Sequence, residues 1–530
     1  MSRSCTRILI TVALAVIMGL TGSAGAMAAP SLHERGAIVV GGEPKYMVAD
    51  AAGDTLYVSD TTGNDVAVVD VATGLVTRRF SVPDGPVGLA LSADEQTLFV
   101  ASYFGDAVYR IDVATGAHTA TSTDVSAPWA LLLIDVPGRG TLLAVTEHHA
   151  DRVSFLDPGS LHRVAQLPTA YYPYQMDVDP VARRLYVVSY GGRSGGELMA
   201  VDLVTLTRLW VRATGGGSFD VQIDRERGNE IVTDLVGGTL TWVDSGGGVR
   251  QTKAVPGTPR GVRLSAAGDE LYVADQANGL LQTFDPVSGI AQGSEAVGSR
   301  PGALTWLPGA ESPLLVVANQ GDGTLSLLSA GEPVHGFADV PPSHRFHREI
   351  RVLSLRGALG GYAQPDGTSV FHPDATLVRA QLAKVLVGSL GLHTEEVETA
   401  GTAFSDVPLT TGAYPYDYVV EAARLGIVTG IPGVPPRFKP YDTVTRVQLT
   451  RMVVRAAAAV GSPLAPASGG SPFADVASDN PDLPTILAAY KAGLISGVVG
   501  ADGRLRFQPY APATRGQTAR VVFNLLGALR

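Results

Sequence analysis

The stretch LYVSDTTGNDVAVVDVATG, residues 56–74, decides the fold. A short apolar strand comes first, then a polar loop holding Gly63 and Asn64, then an alternating strand, then an Asp-Val-Ala-Thr-Gly turn. Alternation at period two is the mark of a strand, and Gly and Asn in a short loop favour folding two strands into a hairpin. The chain then repeats itself as LFVASYFGDAVYRIDVATG, residues 98–116. Weaker copies begin near Leu142, Leu185, Ile231, Leu271 and Leu314. The period is roughly 40–46 residues, the range in which repeated strands build propeller blades.

Working outward, each copy is preceded by an inner apolar segment after a Pro- or Gly-marked loop. These segments fall at residues 46–49, 89–91, 130–133, 176–178, 219–221, 262–264 and 304–306, which makes seven. The reading is an all-β, seven-bladed β-propeller over residues 29–332. The seventh unit runs out after its third strand near Ser329, while Gly36-Ala37-Ile38-Val39-Val40 has no unit of its own. That segment is predicted to pair into the last blade as its outer strand, closing the ring and removing a sheet edge. Tyr57-Val58-Ser59-Asp60, Tyr272-Val273-Ala274-Asp275 and Val316-Val317-Ala318-Asn319 resemble the namesake tetrapeptide of the YVTN-type, lactonase-like propeller repeat. The resemblance covers residues 36–332 and implies the fold. It implies no single activity, since similar propellers serve as hydrolases, binding modules and surface proteins.

A chain of 530 residues exceeds one ordinary core, so two or more domains are expected. Net charge is −10, which argues against nucleic acid as the main partner. Its distribution is uneven: residues 29–336 carry about −15 and residues 337–530 about +3. An anionic partner therefore suits the second half better. Residues 1–28 read as an export signal, with Arg3 and Arg7, an apolar core from Ile8 to Leu20, and Ala26-Met27-Ala28 as cleavage site. The apolar core is too short for a spanning helix. Cys5, the single cysteine, lies inside that leader, so the mature chain is expected to carry no disulfide and no cysteine–metal site.

Propeller topology places the loops entering the inner strands and those between second and third strands on one face. Lys45, Val87, Trp129, Tyr174, Ser218, Arg260 and Gly302 are expected to ring the channel mouth there, with Tyr171 and Tyr172 beside them. The second set of loops adds Tyr103, Phe104, Glu147, His148, His149, Tyr190, Arg193 and Gln320. Aromatics with a few cations suit sugar rings or a polar peptide; they also suit a plug that fills the funnel. Glu147-His148-His149 is the one metal-like cluster, with Asp106 or Asp151 as further ligands only if the fold brings them near, and no metal or cofactor is assigned. The chain contains no nucleophile elbow, phosphate loop or zinc-protease pair, and no catalytic residue is assigned. Asp70, Asp112, Asp157, Asp202, Asp244 and Asp285 recur with the period and read as turn formers.

After residue 332 strands give way to helices. Phe337-Ala338-Asp339-Val340 recurs as Phe404-Ser405-Asp406-Val407 and Phe473-Ala474-Asp475-Val476. Each copy continues with a helical stretch, a Gly-x-x-x-Gly segment (Gly357 to Gly361, Gly426 to Gly430, Gly493 to Gly497) and an aromatic-x-Pro at Phe371, Phe438 and Phe507. A second helix then opens at Arg379, Arg446 and Arg515, with Gln381, Gln448 and Gln517 two residues on. Thr445 and Thr514 can cap those helices while the glutamines bond back, a capping box. Arg446 is expected to point outwards at the positive end of a helix dipole, a natural anion site. The three copies resemble S-layer homology motifs, at residues 337–395, 404–462 and 473–530. That resemblance implies a pseudo-threefold, all-α unit binding anionic cell-wall polysaccharide or peptidoglycan. By position, Arg379, Gln381, Arg446, Gln448, Arg515 and Gln517 would be its contacts. The sequence departs from the family pattern where Gln replaces the acidic residue in all three copies and Val378 replaces the capping Thr in the first.

These readings converge on an exported, non-enzymatic cell-surface protein, anchored to the wall by its helical half and displaying a propeller of unknown ligand. The alternative is a wall-tethered, lactonase-like hydrolase at the propeller mouth. It requires a base and an electrophile to converge there, with Glu147, His148 and Arg260 as the residues available.

Overall fold

The computed structural model describes residues 32–192, 195–308, 314–330, 336–392, 404–407, 414–431, 433 and 435–529. The leader expected over residues 1–28 and Arg193 at the mouth lie outside them. Seven four-stranded antiparallel sheets form the first half. The first six are contiguous in sequence, at residues 44–81, 86–122, 128–168, 173–215, 218–254 and 259–296. The seventh joins residues 301–330 to Leu32–Val39, which pairs antiparallel with Thr324–Ala330. Each innermost strand neighbours the next, and the seventh meets the first, so the ring is closed as the sequence predicts.

The repeated motif explains why the sheets stack. Both faces of its strands are covered, since Leu56 and Val58 pack with Leu307, Val316 and Leu325 of blade 7 while Tyr57, Val66 and Val68 pack with Leu89, Leu98 and Val100 of blade 2. A strand buried on both sides reads as a nearly continuous apolar run, which LYV supplies. The six periodic aspartates form turns: the side-chain oxygens of Asp70, Asp112, Asp157, Asp202 and Asp285 accept the N–H three residues on, and Asp244 accepts from Gly246 and Gly248.

Every innermost strand carries a bulge next to its first residue, where two residues oppose one on the second strand. A bulge bends the strand and leaves backbone groups unpaired. In blades 1, 3 and 5 a hydroxyl repairs this. Ser59, Thr146 and Thr233 accept the freed N–H of Tyr46, Ala130 and Asp220 and donate to the carbonyls of Val87, Tyr174 and Arg260 in the next blade. Each such hydroxyl thereby ties the bulge of its own blade to the first bulge residue of the next.

Six helices occur among the described residues of the second half: α1 (His347–Leu355), α2 (Arg379–Ser389), α3 (Tyr416–Arg424), α4 (Arg446–Ala459), α5 (Leu483–Lys491) and α6 (Arg515–Ala528). They pack as α2 with α3, α4 with α5, and α6 with α1, so the second helix of each copy covers the first helix of the next. A cycle of backbone hydrogen bonds lies at the centre. Leu377 donates to Ala513, Ala513 to Val444, and Val444 back to Leu377. The two glycines of each Gly-x-x-x-Gly do different jobs. Gly357, Gly426 and Gly493 end a helix at positive φ, where L-residues are strained. Gly361, Gly430 and Gly497 lie so close to the rings of Phe337, Phe404 and Phe473 that a Cβ would fall within 3 Å of them.

The ring-closing strand also joins the two halves. Ala37 and Val39 belong to the helical core, whereas Ile38 and Val40 belong to the core between blades 7 and 1.

Candidate functional site

At the propeller mouth the structure separates two chemistries. Blades 2 to 5 present an aromatic half. Trp129 lies edge-on to Tyr103 and Tyr174 at 5.3 and 4.9 Å, Tyr174 touches Phe219 at 4.8 Å, and His148 stacks on Tyr172 at 4.6 Å. Offset and edge-on contacts of this kind match the quadrupoles of the rings. The Trp129 indole donates to the hydroxyl of Tyr46 at 3.0 Å. Phe104, Tyr171 and Tyr172 remain exposed as a rim.

Blades 6, 7 and 1 present a cationic half. Lys45 donates to Glu43 at 2.8 Å and to the Gln320 side-chain oxygen at 3.3 Å. Arg260 donates to that same oxygen at 3.1 Å and lies 4.5 Å over the ring of Phe219. Burial lowers the pKa of both cations below their ordinary values. Gly302 takes no side chain into the mouth, because a Cβ there would stand 2.3 Å from the amide nitrogen of Gln320.

Two positions differ from the sequence reading. In blade 5 the bulge residue is Phe219, and Ser218 instead bonds Thr214. Glu147 belongs to blade 3 rather than to the mouth. Its fully buried carboxylate accepts from Ser126 N–H, Ser154, Arg152 and Arg163, the last two at 2.7 and 3.2 Å. Glu147, His148 and Arg260 therefore do not converge, with Trp129 and Phe219 standing between the histidine and the arginine. His148 is pushed down to about 4 by burial and by His149, so it is uncharged at neutral pH. Asp106 and Asp151 accept the N–H of Ala127 and Tyr172 and latch the loops entering blades 3 and 4. Among the described residues no group of three or more His, Cys, Asp or Glu could hold a metal ion.

Sequence reasoning missed Tyr46, Asp177, Asp220 and Arg263. Asp220 is buried, pairs with Arg263 at 3.0 Å and accepts the N–H of Val262 in blade 6. Asp177 accepts the N–H of Ile223 in blade 5 and is pushed up to about 6 by burial. These carboxylates stitch one inner strand to the next. A charged residue inside an otherwise apolar inner segment was the available signal.

In the helical half the three arginines adopt one conformation. The Nε of Arg379, Arg446 and Arg515 donates to the carbonyls of Phe438, Phe507 and Phe371, each in another copy, at 2.7 to 2.8 Å. Nη2 reaches Thr429, Ser496 and Gly360. Each guanidinium lies over the ring of the same phenylalanine, at 4.6, 5.1 and 4.3 Å. Arg446 is thus folded onto the neighbouring copy rather than pointing outwards.

The helix N-termini are likewise closed to an outside anion. The first two N–H groups of α2, α4 and α6 go to carbonyls at Asp442 and Pro440, Ala511 and Pro509, and Ala375 and Pro373. The third goes to Thr445 in α4 and to Thr514 in α6. Gln381, Gln448 and Gln517 each accept the N–H of the residue before the helix. In α2 that back-bond stands without its return, since Val378 has no acceptor.

What remains open are grooves between copies. One of about 240 Å³ is lined by Arg379, Thr429, Gln448, Arg451 and Arg455. Another of about 210 Å³ is lined by Arg345, Arg446, Ser496, Gln517 and Arg520. Arg451 and Arg520 pair with Asp482 and Glu349 at their edges.

No family model matches this chain, and neither does any curated protein. Among solved structures, a chain of Kuenenia stuttgartiensis hydrazine synthase is similar with 16% identity and a TM-score of 0.49 over 58% of this chain and 99% of that one. The β-propeller domain of Cps50 (Swd1) from Myceliophteria thermophila is similar with 14% identity and a TM-score of 0.47, over 57% of this chain and all of that one. The propeller assignment rests on the seven sheets themselves.

Proposed function

We propose that this chain is a secreted bacterial cell-surface protein, held non-covalently to anionic wall polymer by three S-layer-homology motifs. On this reading the YVTN-type propeller is the displayed binding or scaffolding part. The observation that carries the proposal is the arginine-lined groove that repeats between successive copies in the basic-leaning half of the chain. Stacking on phenylalanine and donation to carbonyls pre-orient each guanidinium, so a polymer carboxylate or phosphate meets donors already fixed in place. The hydrolase reading loses its support with the separation of Glu147, His148 and Arg260.

The test is co-sedimentation of the full mature chain with purified wall sacculi. At low salt the protein should pellet, and about 1 M salt should release it, because screening shortens to roughly 3 Å there. Arg455→Ala, a half-buried groove residue, should weaken binding by about tenfold, the scale of one charge-assisted hydrogen bond. A chain that stays in the supernatant at low salt removes the anchoring role.

A further inference from the structure

The mouth of the propeller contains a charge imbalance that the fold does not resolve. Arg260 is 9% exposed and has no carboxylate within ion-pair distance among the described residues. Its Nε has no hydrogen bond at all. Lys45 and Arg260 are instead drawn to one neutral oxygen, that of Gln320. Arg300 adds a third cation, and among the described residues Glu43 is the one carboxylate bonded to this group, accepting from Lys45 at 2.8 Å and Arg300 at 3.5 Å. Burying a guanidinium without a counter-charge is costly unless something arrives to pair with it.

The surroundings narrow what arrives. One Nη of Arg260 is taken by Gln320, which leaves the side-on edge with its free Nε, and that edge matches the two oxygens of a carboxylate. Phe219 lies under the guanidinium, Tyr174 packs against Phe219 at 4.8 Å, and Trp129, in contact with both rings, donates to the hydroxyl of Tyr46. Across the aromatic half His148 holds a second buried polar atom, Nε2, without a partner. An anion at one side and a wall of rings with polar tips at the other call for a ligand with both characters.

We infer that the propeller mouth binds a small ring-borne carboxylate, its charge seated against Arg260 and Lys45 and its ring laid on the face made by Tyr174 and its aromatic neighbours. A uronic acid and an aromatic acid share this chemistry. The inference deepens the binding role proposed for the propeller and does not depend on wall anchoring.

The experiment titrates the full mature chain with glucuronate, benzoate, methyl glucoside and inorganic phosphate, following tryptophan fluorescence and thermal shift. Saturable responses to glucuronate or benzoate are expected, with none to the neutral sugar; the stronger of the two acids identifies the source. Arg260→Gln should weaken that response at least tenfold while the unliganded variant melts no lower than the wild type, because an unpaired buried charge has been removed. Lys45→Met, which leaves Arg260 in place, should weaken it less and serves if the first variant does not fold. The inference is overturned by the absence of a saturable response to either acid, by phosphate binding as tightly as the acids, or by equal affinity in wild type and both variants. Sacculus binding is read separately, so either result leaves the other standing.

Discussion

A chain starting at residue 42 should lose cooperative unfolding, because the strand it lacks buries side chains in the cores of both halves. Successive side chains of a strand face opposite ways, and this strand uses both faces. Ile38 and Val40 close the core between blades 7 and 1, and Ala37 and Val39 enter the core of the helical unit. All four are at most 3% exposed. At about 1.5–3 kcal/mol for each large apolar side chain buried, their loss approaches the whole stability of a typical domain, about 5–15 kcal/mol. The backbone adds to this, since Thr324–Ala330 would become an open sheet edge prone to self-association. Point variants separate the two roles. Ile38→Ala should cost about 2–4 kcal/mol, read as a fall in the denaturant midpoint of the propeller transition. Val39→Asp should instead release the helical unit, exposing Arg356, which now donates to the carbonyls of Thr73 and Gly74 in blade 1. A shortened chain that still melts in one sharp transition at the parental temperature would contradict the argument.

The same strand shows how far the sequence could be read. Its pairing was legible because seven inner segments and only six outer ones leave one edge unfilled, and an apolar pentapeptide stood spare. Its second role was not, since nothing in Ala37 or Val39 announces which partner lies beyond the sheet. The mouth divides in the same way. Period and turn chemistry located the bulge residues to within one position, and Lys45, Trp129, Tyr174 and Arg260 are each the first residue of a bulge. Side-chain direction was beyond reach for Glu147, whose neighbours His148 and His149 face the rim while it pairs with Arg152 and Arg163 on the outer strands of its own blade. In the helical half the landmarks located every second helix. The orientation of Arg446 was missed for a physical reason. An exposed helix N-terminus leaves its first N–H groups free, but here the loop of the next copy supplies carbonyls to them, and no single motif contains that partner.

Raising the pH from about 4.5 to 7 should destabilise the protein through Glu34, and Glu34→Gln should remove that part of the slope. Glu34 lies on the ring-closing strand, 2% exposed, facing Arg351 of α1 across the junction of the two halves. Burial outweighs the attraction of Arg351 and pushes its pKa up to about 7, from an ordinary 4.5. The sign follows from linkage. Between those values the unfolded chain gives up the proton while the folded chain keeps it, so the unfolded state gains free energy relative to the fold as pH rises. The stabilisation held by the protonated form is complete below about 4.5 and is gone above about 7. Its size is on the order of 3 kcal/mol, taking 1.36 kcal/mol for each pKa unit. A neutral glutamine has nothing to ionise, so the variant should be the more stable protein above pH 7 and differ little from the parent near pH 4.5. Asp322 next to it, raised by burial and facing Arg348, pulls the same way and should leave a smaller residual slope in the variant. Urea midpoints measured at half-unit pH steps would decide the matter. Parallel curves for parent and Glu34→Gln would mean that Arg351 holds the carboxylate ionised throughout, and the junction would then be an ion pair rather than a proton-bearing one.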